Sequence, residues 1–497
     1  MCGALVRSID FVIISEMILS TCLATLGLAA GIFDFAPRFH SATLSAEPNA
    51  PTGAQPQDAF NYIGPMSQLL AEGASHAPAS GGLPFRITIQ QDGSVQADQT
   101  FGISKPDWKG GPEIVFTNLR FTSGTLQGEV RLRNASSLVF EGLRLDVSGA
   151  SEAFRTKDAA GKEVVASRAQ SAQFASPLHF GDLQTGESTA TLPFAVSGLQ
   201  LQPDTQEIVV SGGLSGLALV RRLNPVKDLS PVSIDLDASG NVYLVGSNLE
   251  ALYRCDGNGA KSSAVASLPS AGIAVAVERP SGPIVVGVTN GTEFLKYSSS
   301  GADAGRIPGL EETRGFSGWT GKVRYGQDGK LYVNFGDGVA RLSGTKPEMI
   351  VTQVGSYEFE SYLSFDVASD GAMWVGTRST VFRIQPDGKS GKRIVDGPSA
   401  QPGKLSAILA LRLDRTGLIY VAEDMGAERW PRISVFDSQG RLVRIFGRGA
   451  QRARQEAEDF RPGEIVPGPV DFAFDSSGRL YLVHAHLDQP LLVFEPF

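Results

Sequence analysis

Residues 231–245 read PVSIDLDASGNVYLV, and residues 469–483 read PVDFAFDSSGRLYLV. Asp237 and Asp475 each stand three positions before a glycine, Gly240 and Gly478, and Tyr243 and Tyr481 stand three after it. The frame recurs in VRYGQDGKLYV (323–333; Gly329, Tyr332), LSFDVASDGAMWV (363–375; Gly371, Trp374) and LALRLDRTGLIYV (409–421; Gly417, Tyr420). IAVAVERPSGPIVV (273–286) is a divergent copy with Gly282 and Val285. Two apolar strands around a tight turn, repeated every ~45 residues, make the period of a propeller blade. The Asp side chain can bond the turn backbone, and Gly supplies a positive φ that other residues resist. The aromatic residue then points into the layer between blades. These residues are therefore read as structural, not catalytic.

Six copies predict a six-bladed β-propeller over residues 219–497. The last copy is followed by PLLVFEPF (490–497), enough for a third strand but not a fourth. SGLALVRRLN (215–224) resembles the outer strand QGRLVRIFGR (439–448) of the fifth copy. The N-terminal strand is thus expected to complete the last blade, closing the ring and removing its exposed edges.

Upstream, residues 83–218 show period-two alternation broken by turn signals every 8–15 residues, as in FRITIQQ, EIVFTNLRF, LQGEVRLRNASS and ATLPFAVSG. About seven strands suit an Ig-like β-sandwich, so the fold class expected is all-β, a sandwich followed by the propeller. Composition agrees. The chain has 497 residues with 57 Gly and 28 Pro, is 42% apolar and only 19% charged. Such a composition excludes a coiled coil, a collagen and a polytopic membrane protein. A net charge of −8 argues against a general nucleic-acid binder.

FVIISEMILSTCLATLGLAAGIF (11–33), with Glu16 its one charge, is long enough to span a bilayer. Residues 1–36 are read as a signal peptide or membrane anchor, and residues 37–82, rich in Pro, Ala, Ser and Gln, as a linker. This places the body outside the cytoplasm, anchored or secreted. Of three cysteines, Cys2 and Cys22 lie in or before that run; its removal leaves Cys255 with no intramolecular partner.

The DxxGxxY frame, followed by a strand such as ISVFDSQGRLVRIFG (433–447), resembles NHL-repeat propellers, most closely in the first, fifth and sixth copies. That family includes protein-interaction scaffolds, secreted sensors and RNA-binding proteins. Related six-bladed folds include metal-dependent lactonases, streptogramin-type lyases and an amidating lyase, so the fold alone does not decide function. The resemblance implies that the second strand of each blade ends on a face where ligands gather. Counting from the anchor aromatics, that face collects Asn248, Asn290, Asp337, Arg378, Glu423, Asp424, His484 and His486. His484 and His486, two of five histidines, share one face of a strand. With Glu423 they form a candidate set for a divalent metal such as Zn²⁺; Glu423, Asp424, Asp337 and Asn248 form one for Ca²⁺. No cofactor is otherwise expected. The Arg-rich insertion RIFGRGAQRARQEAEDFRP (444–462) is a solvated loop or a docking loop.

Two functions follow. One is a noncatalytic extracytoplasmic protein whose propeller mouth binds a protein, peptide or glycan. The other is a metal-dependent lyase or hydrolase. Nucleic acid is not an expected partner, and membrane contact is expected only at the N-terminus.

Overall fold

A computed structural model of the chain describes residues 83–98, 111–157, 162–174, 177–259, 261–280, 282–289, 294–307, 320–335, 338–344, 346–359, 364–397, 403–424, 432–447, 471–484 and 491–497. The expected export segment and linker lie outside them, as does most of the Arg-rich insertion. Every regular element among the described residues is a β-strand. None is a helix long and apolar enough to cross a membrane.

Two sheets enclose the N-terminal core. One contains Leu83–Gln90, Val95–Asp98, Val139–Lys157, Glu163–Gln170, Leu178–Leu183 and Thr205–Leu223; the other contains Pro112–Thr122, Thr125–Asn134, Gln173–Phe174 and Leu192–Ser197. Alternation does the work here: in Leu83–Gln90, Leu83, Phe85, Ile87 and Ile89 are buried while Pro84 and Arg86 are exposed. Phe85 from the first sheet meets Phe116 and Phe194 from the second, with ring centroids 5.2 and 6.4 Å away. Three short or exposed strands, Val95–Asp98, Glu163–Gln170 and Gln173–Phe174, add to the seven expected from sequence. Glu163–Gln170 lies largely exposed, so it carries little of the apolar alternation by which strands are read.

Downstream, five four-stranded antiparallel sheets follow in order, over residues 231–267, 272–307, 320–351, 364–395 and 407–446. A sixth set is assembled from both ends of this region: Asp471–Phe474, Leu480–Val483 and Leu491–Pro496, with Thr205–Leu223 as the outer strand. The closing register pairs Leu217 with Pro496, Leu219 with Phe494 and Leu223 with Leu491. The first strands of successive sheets neighbour one another, and that of the first sheet meets that of the sixth. The arrangement is a β-propeller. The closing strand also belongs to the N-terminal module, where it pairs with Val139–Lys157 along most of its length. Residues 218 and 219, the expected domain junction, therefore sit inside one continuous strand.

Each anchor aromatic is buried between two sheets. Tyr243 packs with Val275 and Val286 of the second sheet, Tyr332 with Val367 and Met373 of the fourth, and Tyr420 with Phe472 and Phe474 of the sixth. Burying each stabilises the ring by roughly 1.5–3 kcal/mol. The hairpin turns are tied as the sequence implies. Asp237 Oδ1 accepts the N–H groups of Ser239 and Asn241, both at 2.9 Å, and Asp475 Oδ1 accepts those of Ser477 and Arg479 at 2.8 and 2.9 Å. The divergent copy differs because its turn is one residue longer: Gly282 N–H bonds the carbonyl of Glu278, four back, where Gly240 bonds that of Asp237, three back.

Gly240, Gly417 and Gly478 have φ of 79°, 85° and 85°. A Cβ at Gly240 or Gly417 would meet no atom within 4 Å, so a side chain there costs backbone strain and no clash. Each Val substitution is expected to destabilise by about 1–3 kcal/mol, read as a lower denaturant midpoint at unchanged slope. A Gly417→Val protein with an unaltered midpoint would contradict this.

Candidate functional site

The inner strands set the chemistry of the channel. Along each, side chains alternate between the layer against the neighbouring sheet and the axis. In Pro231–Leu236, Ile234 and Leu236 join the apolar layer, leaving Ser233 and Asp235 on the other side. Positions equivalent to Asp235, two before the turn, hold Ala276, Arg324, Asp366, Arg412 and Ala473. Positions equivalent to Ser233 hold Ala274, Lys322, Ser364, Ala410 and Asp471. The axis thus carries three cations and three carboxylates.

These groups join sheets that are not neighbours. Arg324, from the third sheet and fully buried, donates from Nη2 to both oxygens of Asp471 in the sixth, each at 2.9 Å. Asp471 also accepts from Ser233 Oγ at 2.8 Å and from Phe472 N–H at 3.0 Å. Burial alone would push the Asp471 carboxyl up, but Arg324, Lys322 and Arg412 outweigh it and hold the group well below the usual carboxylate range. Asp235 accepts the N–H of Leu236 and, from the next sheet, that of Val277, both at 2.9 Å. Asp366 does the same with Val367 and Leu413, both at 2.8 Å; burial pushes its carboxyl up. Buried carboxylates on inner strands are therefore staples between sheets.

Above this network, at the hairpin end of the channel, lies a cavity of about 400 Å³ to which all six sheets contribute residues. Asp235, Asp366 and Arg412 form its floor. Its rim is crossed by long side chains. Arg279 of the second sheet donates to the carbonyl of Phe474 in the sixth at 3.1 Å, and Gln327 of the third to that of Asp414 in the fifth at 3.3 Å. Arg415 donates to the Ser476 carbonyl at 2.6 Å.

Of the residues singled out from sequence, the five that are described, Asn248, Arg378, Glu423, Asp424 and His484, lie at or just beyond the opposite ends of the second strands. Asn248 ties a loop, accepting the Ser230 N–H at 2.8 Å and donating to the Asp228 carbonyl. Glu423 is fully buried and faces Arg432, whose Nε and Nη2 approach its two oxygens at 3.1 and 3.2 Å; Oε2 also accepts the Ser406 N–H at 2.7 Å. Arg432 in turn donates to the Lys404 carbonyl at 3.0 Å, so the pair pins the loop entering the fifth sheet. Asp424, half-buried, ends the strand Ile419–Asp424. His484 is buried just after Leu480–Val483. Arg378 is exposed in the turn between Met373–Thr377 and Thr380–Ile384. Asn290, Asp337 and His486 lie outside the described residues. Among the described residues, no group of three or more His, Cys, Asp or Glu is gathered in a way that could hold a metal ion.

The floor residues Asp235, Asp366 and Arg412 and the rim residues Arg279 and Arg415 escaped the reading of the sequence. The signal of the three floor residues is a charge set two residues before the turn in an otherwise apolar strand, as in SIDLD, SFDVA and LALRLD.

No protein-family model matches the chain, and no curated protein matches it. Solved structures similar in fold include a streptogramin B lyase, 12% identical, covering 72% of this chain and 98% of that one with a TM-score of 0.39. The WD40 beta propeller domain of Doa1 is 11% identical and covers 56% of this chain and 97% of its own, with a TM-score of 0.38. Regucalcin, a calcium-binding protein from Agrobacterium tumefaciens, is 14% identical and covers 56% and 93%, with a TM-score of 0.40. Identities this low concern fold alone. The protein is an all-β chain whose main body is a β-propeller with a charged central channel.

Proposed function

We propose that this chain is a noncatalytic, extracytoplasmic binding protein. Its propeller is six-bladed and NHL-like and spans residues 219–497; an Ig-like sandwich, residues 83–218, braces it; residues 1–36 are a signal peptide or anchor and residues 37–82 a linker. The channel mouth receives a group from a protein, peptide or glycan. The observation that carries this reading is the hairpin-end cavity, a concave site to which six sheets contribute, above the buried Arg324–Asp471 ion pair. Its volume lies within the range of ligand pockets. The six successive sets of strands support six blades, and the two facing sheets upstream support a sandwich.

The test compares the full chain with a mouth-blocked Gln327→Trp variant in pull-downs from a cell-envelope fraction. A partner captured by the first and lost by the second is expected. Capture that ignores the block, or turnover of a small molecule with stoichiometric bound metal and no partner, overturns the reading in favour of a metal-dependent lyase or hydrolase. Protease added to spheroplasts is expected to digest the propeller; full protection, with recovery in the cytosol, overturns the location.

A further inference from the structure

We propose that the hairpin-end cavity is a carboxylate-binding site, with the Arg412 guanidinium as its floor and Arg279 and Arg415 as its rim. This names the ligand chemistry of the binding function proposed above and rests on it.

Arg412 is a buried cation that its neighbours serve poorly. The Arg412 side chain is 7% exposed and lines the cavity. A guanidinium carries five N–H donors. Nη2 of Arg412 reaches the Ile234 carbonyl at 2.9 Å. Its Nε lies 3.7 Å from Asp471 Oδ1, beyond hydrogen-bonding distance, and bonds nothing else. Asp471 is already taken by Arg324, which approaches both of its oxygens at 2.9 Å. Asp235 and Asp366 line the same cavity as counter-charges and each accepts a backbone N–H on both oxygens, but the ion pair Arg412 makes is the long one to Asp471. Arg412 is thus neutralised at a distance and short of acceptors. Burying a charge in that condition is costly unless an acceptor completes it. A carboxylate matches the planar fork of a guanidinium and makes a charge-assisted bond with it.

The rim sets Arg279 and Arg415 beside Glu278 and Asp475, so its donors are offered without a net charge. Arg279 and Arg415 each donate one N–H to a carbonyl of the sixth sheet and hold further donors at the cavity edge. Of the acidic rim groups, Asp475 Oδ1 accepts Ser477 N–H, Ser477 Oγ and Arg479 N–H. Glu278 is the remaining acid on this rim. It repels an anion at the edge and favours a ligand whose carboxylate is seated deep, against Arg412. The site therefore selects a single carboxylate on a polar neutral or zwitterionic body over a polyanion.

Calorimetry on the full chain tests this with acetate, glycolate and glucuronate, each against its amide. A charge-assisted hydrogen bond contributes about 1.5–3 kcal/mol, so each carboxylate is expected to bind roughly tenfold or more tighter than its amide. Arg412→Gln is expected to abolish that preference. Because this variant removes a buried charge and can fail to fold, the rim double variant Arg279→Gln/Arg415→Gln is measured beside it and is expected to weaken carboxylate binding roughly tenfold at unchanged thermal stability. Amides that bind as well as carboxylates, no binding of any probe, or unchanged affinity in the rim variant each overturn the proposal. If carboxylates fail while mouth-dependent capture of a partner persists, the binding function stands and this inference falls. If carboxylates bind in the expected way and no partner is captured, this inference stands and the partner-binding reading falls.

Discussion

An Asp471→Asn protein is expected to lose about 3–5 kcal/mol of stability, because removing one member of a buried ion pair leaves the other uncompensated. Here the orphan would be Arg324, which is fully buried and has Lys322 and Arg412 as cationic neighbours. The effect has a pH signature. The folded Asp471 carboxyl is held below its ordinary value. A depressed carboxyl adds stability that is fully present above the unfolded value and lost as pH falls through it toward the folded one. Wild-type stability should therefore drop more steeply than that of the variant below about pH 4. Urea unfolding at pH 7 and pH 3.5 reads both effects. A loss under about 1 kcal/mol at pH 7 would show that Arg324 is served by other groups. The double variant Arg324→Met/Asp471→Leu should recover most of the loss, since apolar replacement of a whole buried pair is often neutral or better.

Deleting residues 1–225 is expected to abolish cooperative folding of the propeller. The deletion removes the outer strand of the sixth sheet, whose ladder runs from Leu217 against Pro496 to Leu223 against Leu491. It also removes Leu217 and Leu219, both buried in the layer with Phe472 and Phe494. Those two side chains contribute roughly 1.5–3 kcal/mol each, and every lost ladder bond about 1 kcal/mol. Together these approach the whole stability of a typical domain, roughly 5–15 kcal/mol. The exposed edge of Leu491–Pro496 would then be free to pair with other chains. Circular dichroism melting and light scattering of the 226–497 fragment check this; an unchanged, sharp transition in a monomeric fragment would contradict it.

The propeller was legible because its repeats obey local rules. Gly240 and Gly478 mark turns that need positive φ, Tyr243 and Tyr481 follow at a fixed offset, and the likeness of 215–224 to 439–448 exposed the closing strand. The channel was not legible, because its pairings are not local. Arg324 and Asp471 come from sheets three apart, and nothing in VRYG or VDFAF alone says that they meet. A charged residue in an apolar strand reads as an edge or an error until the ring is closed around it. Glu423 shows the reverse failure. The sequence sets it with a His-x-His pair as a candidate metal ligand, but folding places Arg432 against it, and the pair holds a loop. The strand Thr205–Leu223 hid its length because its two halves serve different cores, and each half on its own looks like a complete strand.

That shared strand sets a timetable. During synthesis Thr205–Leu223 emerges before any inner strand of the ring, while its partner Leu491–Pro496 comes last. At roughly 5–20 residues per second, the wait between them is on the order of tens of seconds. Val139–Lys157 precedes it and can shelter one side from the start; Leu83–Gln90 covers part of the other, leaving Leu217–Leu223 bare. The upstream module is thus a holder for the latch, keeping one strand in shape until the final turn of the ring arrives. Slowing translation late in the message would lengthen that wait, and misassembly would rise at a point far from the residues responsible.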